Sequence, residues 1–290
     1  MYESSLEHLR CVRCGQPLEL DTYEKKSEIW EGLLSCIKCT AKYPIISSIP
    51  ILIDDLSSYF SVRMKLGGFL MLKARNRKTQ SLIKESLRKI KQVSDDTTNL
   101  EKNWANIYKR NQNSLFVKKI KNAILKLPRC DYVIEHGCSI GITSENLAKH
   151  NNSVFGIDKS FFALIEAKKR KLKNADFFVA DSLMQPFGNK KFGMVVALNV
   201  LELIEPALLL KVIFSQSDRF VILSDPYDYD RGKNSVKVQL YQKDIRSKFS
   251  QNGFKLIHGT KRPSFSSWNL SVNQRLSLHY KVDIVVAEKS

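Results

Sequence analysis

At 290 residues, with 43% hydrophobic and 26% charged positions, the chain has the balance of a soluble globular protein and the length for one large domain plus a small one. No stretch approaches the roughly 18 apolar residues of a membrane span, and residues 1–10 carry Glu3 and Glu7 where a secretory leader has an apolar core, so a cytoplasmic protein is expected. The net charge of +18 is uneven, at −3 over residues 1–60, +14 over 61–130, −2 over 131–230 and +9 over 231–290. A basic surface of that kind attracts polyanions such as RNA, an anionic membrane or an acidic partner, unless it is a solvated helix face that only maintains solubility.

Six cysteines are few for a disulfide framework in a chain of this length, and four of them form two pairs. Cys11-Val12-Arg13-Cys14 and Cys36-Ile37-Lys38-Cys39 are CxxC knuckles separated by 21 residues. Each knuckle presents two thiolates on one tight turn, and two knuckles together complete a tetrahedral sulfur cage for zinc. With Cys11, Cys14, Cys36 and Cys39 all supplied by protein, such a zinc has no open position and is structural; redox cysteines are the alternative. Gly15 fits the turn, and the alternation around Leu18-Glu19-Leu20 and Leu33-Leu34-Ser35 fits short strands beside the metal.

The segments Leu9-Arg10-Cys11-Val12-Arg13-Cys14-Gly15-Gln16-Pro17-Leu18 and Tyr43-Pro44-Ile45-Ile46-Ser47-Ser48-Ile49-Pro50-Ile51-Leu52 resemble the small zinc-ribbon family whose members activate tRNA, rRNA and protein methyltransferases. That family's ribbon ends in a YPI…GIP segment, and Ser48 stands here where a glycine is usual. The resemblance covers about residues 6–54 and implies an accessory module fused in cis to its methyltransferase. A zinc ribbon over 1–54 is the first expected unit.

Residues 55–130 read as a basic helical connector. Leu66 to Leu72 is apolar but far too short to span a bilayer. Between 73 and 93, Leu82, Ile83, Leu87 and Ile90 recur at helical spacing among Lys84, Arg88, Lys89 and Lys91. The stretch 94–98 breaks the pattern. A second helix holds Trp104, Ile107 and Tyr108, and a third holds Phe116, Ile120, Ile124 and Leu125 and ends before Pro128. Trp104 and Tyr108 share one face and either lid a pocket or pack on the core. Lys118, Lys119, Lys121 and Lys126 make the third helix the expected polyanion-facing element.

From Asp131 strand and helix patterns alternate, which calls for a parallel sheet covered on both faces. Strands are expected at 132–135, 153–157, 175–179, 192–197, 220–223, 255–259 and 282–287, with helices at 161–172 and 206–215. The first strand ends in Glu135-His136-Gly137-Cys138-Ser139-Ile140-Gly141. Glycines in such a turn allow positive φ and close approach of a ligand to the backbone. Asp158 ends the second strand, 23 residues after Glu135, where a carboxylate can accept both ribose hydroxyls of a nucleoside. A nicotinamide-binding turn needs GxGxxG, and Ser139 and Ile142 occupy its second and third glycine positions.

An acid followed by GxGxG, with Ser139 for the middle glycine, resembles the first motif of the class I S-adenosylmethionine-dependent methyltransferases. The resemblance implies an α/β fold with a seven-stranded Rossmann-like sheet over 131–290. By it, Glu135 orients the loop or the methionine ammonium, and Gly137, Cys138 and Gly141 admit the methionine portion. Asp158 and Lys159 then lie at the ribose, Asp181 and Ser182 at the adenine amino group, and Asn199 closes the pocket. Leu203 replaces a histidine often found after the fourth strand, and His136 reads as structural. Asp225-Pro226-Tyr227 follows the fifth strand rather than the fourth and lacks a second proline, so the DPPY chemistry of amine methylation is not transferred. Asp225, Tyr227, Trp268 and Arg275 are candidate substrate contacts, and no catalytic base is identified. The expected function is S-adenosylmethionine-dependent methylation of RNA (tRNA or rRNA), with the basic connector as the RNA-binding element. A small-molecule or lipid methyltransferase and a non-catalytic cofactor-binding scaffold are the alternatives.

Overall fold

The computed structural model describes residues 1–93, 95–233 and 235–290; Ser94, in the expected break at 94–98, lies outside them. Four strands, β1 (Leu18–Lys25), β2 (Ile29–Cys36), β3 (Lys42–Ile46) and β4 (Ile49–Leu52), pair antiparallel in sequence order. The β3–β4 hairpin turns at Ser47 and Ser48, with φ of 53° and 63°. Two successive left-handed residues match the right-handed twist of the flanking strands, which is why a glycine is the easier residue there. Five helices follow: α1 (Leu56–Ser61), α2 (Met64–Lys73), α3 (Arg77–Arg88), α4 (Thr98–Arg110) and α5 (Leu115–Leu125). The last starts at Ser114, whose side chain accepts from the Val117 amide. The apolar run expected only to be too short for a membrane is α2, and α1 carries no periodicity long enough to read. Among the described residues no helix is long and apolar enough to cross a membrane.

The remaining elements are β5 (Tyr132–His136), α6 (Ile142–His150), β6 (Ser153–Asp158), α7 (Phe161–Lys168), β7 (Ala175–Ala180), β8 (Phe192–Leu198), α8 (Pro206–Gln216), β9 (Ser217–Asp225), α9 (Gln242–Gln251), β10 (Phe254–Leu256), β11 (Phe265–Asn273) and β12 (Leu276–Lys289). The expected strands lie in the order β7-β6-β5-β8-β9-β12-β10, the first five parallel and β12 antiparallel to both its neighbours, but the one expected at 255–259 is only Phe254–Leu256, with residues 258–259 in a turn. The expected seven-stranded sheet is nevertheless corrected to twelve strands. β4 pairs parallel with β7 through Ile51↔Val179 and Leu52↔Ala180, so the ribbon continues the sheet. β11 pairs along β12, which extends well before the expected 282.

The physical reason is the edge of β7. All six of its residues are buried, and an exposed apolar edge invites pairing; β4, also buried throughout, covers it. A polar junction fixes the join. Asp176 on β7 accepts from the Tyr2 amide at 2.8 Å and the Ser5 hydroxyl at 2.9 Å, and pairs with Lys168 at 2.7 Å. Lys168 also contacts Glu28 at the start of the ribbon's second strand. One face of the sheet packs on α1 to α7, and the other on α8, α9 and residues 1–10. Each fully buried Val, Leu, Ile or Phe there contributes about 1.5–3 kcal/mol.

Candidate active site

The chain runs from β5 outward to β6 and β7, then returns to β8 on the other side of β5. In an open α/β sheet that reversal leaves a crevice beyond the carboxyl ends of the strands. A cavity of about 480 Å³ lies there, within the range of small-molecule sites. Its walls come from the turns after β5, β6 and β8, from α4 and α5, and from β11.

The turn after β5 is tightly determined. Gly137, Ser139 and Gly141 have φ of 68°, 48° and 71°, left-handed values that disfavour a Cβ. The space a Cβ on Gly137 would need is filled by Val200 Cγ1 at 2.3 Å, and that at Gly141 by Ala167 and Phe177 at 3.0 and 3.2 Å. Glycine here lets the protein's own elements close on the turn from behind. Asp158 holds the front: its two carboxylate oxygens each accept a 2.8 Å bond, one from the Ser139 amide and one from the Ser160 amide. A carboxylate has about four acceptor sites, so each oxygen keeps one for a ligand. Burial raises the Asp158 carboxyl above the ordinary carboxylate value, against the lowering effect of those amides.

Glu135 is buried at the end of β5 and accepts a 2.5 Å bond from the Ser144 hydroxyl on α6. Burial pushes its carboxyl up to about 8, so at neutral pH it is mainly protonated until a cation arrives. Asn199 sits at φ 56° after β8, its amide donating to Ser224 O at 2.7 Å and its side-chain oxygen accepting from the Ser224 hydroxyl at 2.9 Å.

Glu135, Gly137, Cys138, Asp158, Asn199 and Trp268 therefore come together on the cavity wall. Gly141, Lys159, Asp181, Ser182, Asp225, Tyr227 and Arg275 do not line it. Lys159 pairs with Asp181 at 2.7 Å, and Asp181 caps the short turn over Ser182 by accepting from the Leu183 amide at 2.9 Å. Asp225 accepts from the amides of Leu201 at 3.0 Å and Tyr227 at 2.7 Å, which braces the turn after β8, and Tyr227 donates to Asp283 at 2.9 Å. Arg275 is exposed at the β11–β12 hairpin. His136 faces the opposite side, bonded through Nε2 to Gln216 at 2.8 Å and held neutral by burial, its value lowered to about 4.

Trp104 and Tyr108, read as either lid or core, do both: they pack against the core and line the cavity. Leu100, Glu101, Phe116, Leu203 and Arg231 join them there. The spacing of four between Trp104 and Tyr108 marked the right face of α4, whereas nothing local marked Arg231.

A second constellation lies in the ribbon. The four sulfurs of Cys11, Cys14, Cys36 and Cys39 all lie within 4.8 Å of one another, with separations of 3.4 Å for Cys14–Cys36 and 3.6 Å for Cys11–Cys39 and Cys14–Cys39. Zinc bound to four thiolates at about 2.3 Å has sulfur separations of about 3.8 Å. The amides of Lys38 and Cys39 point at Cys36 Sγ from 3.4 Å, an arrangement that favours thiolate. The cluster is compatible with zinc.

Residues 133–216 match the family model of a methyltransferase domain. The match spans β5 to α8 and includes the glycine turn, Asp158 and Asn199. No curated protein matches the chain. Among solved structures, the magnesium protoporphyrin IX methyltransferase of Synechocystis PCC 6803 with bound SAM is similar at 22% identity, over 65% of this chain and 90% of that one, with a TM-score of 0.49. The N-methyltransferase NodS of Bradyrhizobium japonicum WM9 is similar at 14% identity, over 63% and 98%, with a TM-score of 0.47.

Proposed function

We propose that the chain is an S-adenosylmethionine-dependent methyltransferase acting on a small-molecule acceptor. The observation that carries this reading is the pair Glu135 and Asp158, each at the end of its own strand on the wall of one cavity whose turn is held by Gly137 and Gly141. The residues suit the cofactor. Glu135 is a buried carboxyl poised to ionise beside an ammonium, Asp158 keeps acceptor sites for ribose hydroxyls, and Ile140, Ile142 and Ala163 offer an apolar surface. The cofactor, when bound, supplies a methyl group on a sulfonium for in-line displacement. What the chain contributes is position and carboxyl groups beside the cationic parts of the cofactor. No base is assigned among these residues. Asp181, Lys159, Ser182 and Cys138 remain candidates for the adenine and ribose surroundings.

A second reading, methylation of tRNA or rRNA, is favoured by the basic connector, where Lys118, Lys119, Lys121 and Lys126 are all exposed. The zinc ribbon, with Cys11, Cys14, Cys36 and Cys39 holding a structural zinc, fits either reading. The small-molecule reading takes precedence because the apolar part of the cavity wall is made of rings and aliphatic side chains. Tritium transfer from labelled S-adenosylmethionine into fractionated small molecules, RNA and protein tests this directly. Label confined to the small-molecule fraction is expected, and label in RNA alone would refute it. Calorimetry should give micromolar S-adenosylhomocysteine affinity that disappears in Asp158→Ala; binding retained in that variant would remove the assigned ribose site.

A further inference from the structure

The α4, α5 and β11 side of the cavity is an aromatic box. Trp104 and Tyr108 lie 5.6 Å apart on α4, Tyr108 stacks on Trp268 at 6.1 Å with 15° between planes, and Phe116 closes on Trp268 at 5.6 Å. Arg231 enters this box. Its guanidinium carbon stands 5.4 Å from the Trp104 ring centre and 6.0 Å from that of Tyr280, with an ion pair to Glu202 behind it. Among the described lining residues Arg231 is the one Lys or Arg; the other charged ones are the acids Glu101, Glu135 and Asp158.

The arginine is built in. It sits on a short turn (Tyr229–Gly232) whose last residue packs against the loop after β8 so closely that a Cβ on Gly232 would lie 1.8 Å from the Glu202 carbonyl oxygen. Glu202 is fully buried, and that burial raises its carboxyl against the lowering effect of the arginine beside it. A guanidinium in a box of rings, held by Glu202 through one nitrogen and bonded to the Tyr108 side chain, is a recognition element for a planar anion.

We propose that this side of the cavity binds the methyl acceptor, and that the acceptor is a flat, apolar molecule carrying one anionic group, carboxylate or phosphate, paired with Arg231. The assignment rests on the methyltransferase reading for the word acceptor. The rings supply stacking area, and Arg231 fixes orientation.

Two of the chain's three tryptophans, Trp104 and Trp268, form the wall, so quenching of intrinsic fluorescence reports occupancy without turnover. The probes are 2-naphthoate, naphthyl phosphate and the neutral 2-naphthamide, titrated into the full chain in the presence of S-adenosylhomocysteine. At least one anion should quench saturably with affinity about tenfold or more above the amide. Arg231→Gln should abolish that preference, and Arg231→Lys, which keeps the charge without the fork, should retain part of it. S-adenosylhomocysteine affinity, measured by calorimetry, should stay within about threefold in both variants, which also shows that they fold. Equal binding of anion and amide by the wild type, or an undiminished preference in Arg231→Gln, would overturn the proposal. So would protection of the tryptophans by a tRNA fraction together with no naphthoate or naphthyl phosphate binding, which would give the box to a nucleobase. Loss of S-adenosylhomocysteine binding in the wild type beside an intact anion preference would instead overturn the methyltransferase reading, and the acceptor role with it.

Discussion

Replacing Gly137 by alanine tests the turn at the point where the structure constrains it most. At φ 68° an L-residue costs about 1–2 kcal/mol. The new Cβ would also fall 2.3 Å from Cγ1 of the buried Val200, which must give way. Overpacking of this kind costs about 1–3 kcal/mol, giving a total of about 2–5 kcal/mol. The two contributions separate in a double-mutant cycle. Val200→Ala alone deletes two methyl groups and should cost roughly 1.6 kcal/mol at about 0.8 per buried carbon. In the double variant the nearest remaining atom, the residue 200 Cβ, lies 3.7 Å away, an ordinary separation. The clash is then gone, and only the backbone cost persists. Urea titrations followed by fluorescence should therefore show Gly137→Ala/Val200→Ala to be about 1–3 kcal/mol less destabilised than the sum of the single variants. S-adenosylhomocysteine binding, lost in Gly137→Ala, should return in part. Additivity within about 0.5 kcal/mol would refute the close approach of the two turns.

The pH dependence has a defined sign at Glu135. Its carboxyl is raised from 4.5 to about 8, so between those values the folded chain holds more protons than the unfolded one and stability falls as pH rises, by at most about 1.4 kcal/mol per pH unit. Glu135→Gln should flatten that part of the urea-midpoint profile, with a residual slope from Glu202 and Asp225, which are raised likewise; an unchanged slope would mean that Glu135 is not protonated. Metal analysis should find one zinc per chain and its loss in Cys36→Ser, together with a lowered melting temperature because the ribbon's β4 covers the β7 edge. A full zinc content in that variant would contradict the sulfur cage. Charge reversal at Lys118, Lys119 and Lys121, all exposed on α5, should weaken tRNA retention on filters and flatten its salt dependence, by about 0.9 in the log–log slope for each phosphate no longer neutralised. Cofactor affinity in the same triple variant should not move, and a drop there would place α5's lysines nearer the cavity than the fold does.

Much of the site was legible because it is local. The strand, glycine turn and helix from Tyr132 to Leu147 follow from an apolar run, two glycines and a helical pattern, and Asp158 from its place at the end of the next run. The two CxxC knuckles announce their own geometry. What escaped was nonlocal: Arg231 belongs to a turn with no periodicity, and it reaches the cavity only because Gly232 packs on the loop after β8. Asp225 and Tyr227 looked like substrate contacts from their position after a strand, yet their bonds run to Leu201 and Asp283.

By itself, the sequence determined the alternation of strands and helices, the left-handed turn that closes on a cavity, and a four-sulfur cluster, since each is set by residue types within a few positions of one another. Only the tertiary structure decided that the ribbon continues the sheet and that α4, β11 and the turn at Arg231 complete the cavity. Those contacts depend on which exposed edge and which apolar face find each other across more than a hundred residues, and no local pattern encodes that choice.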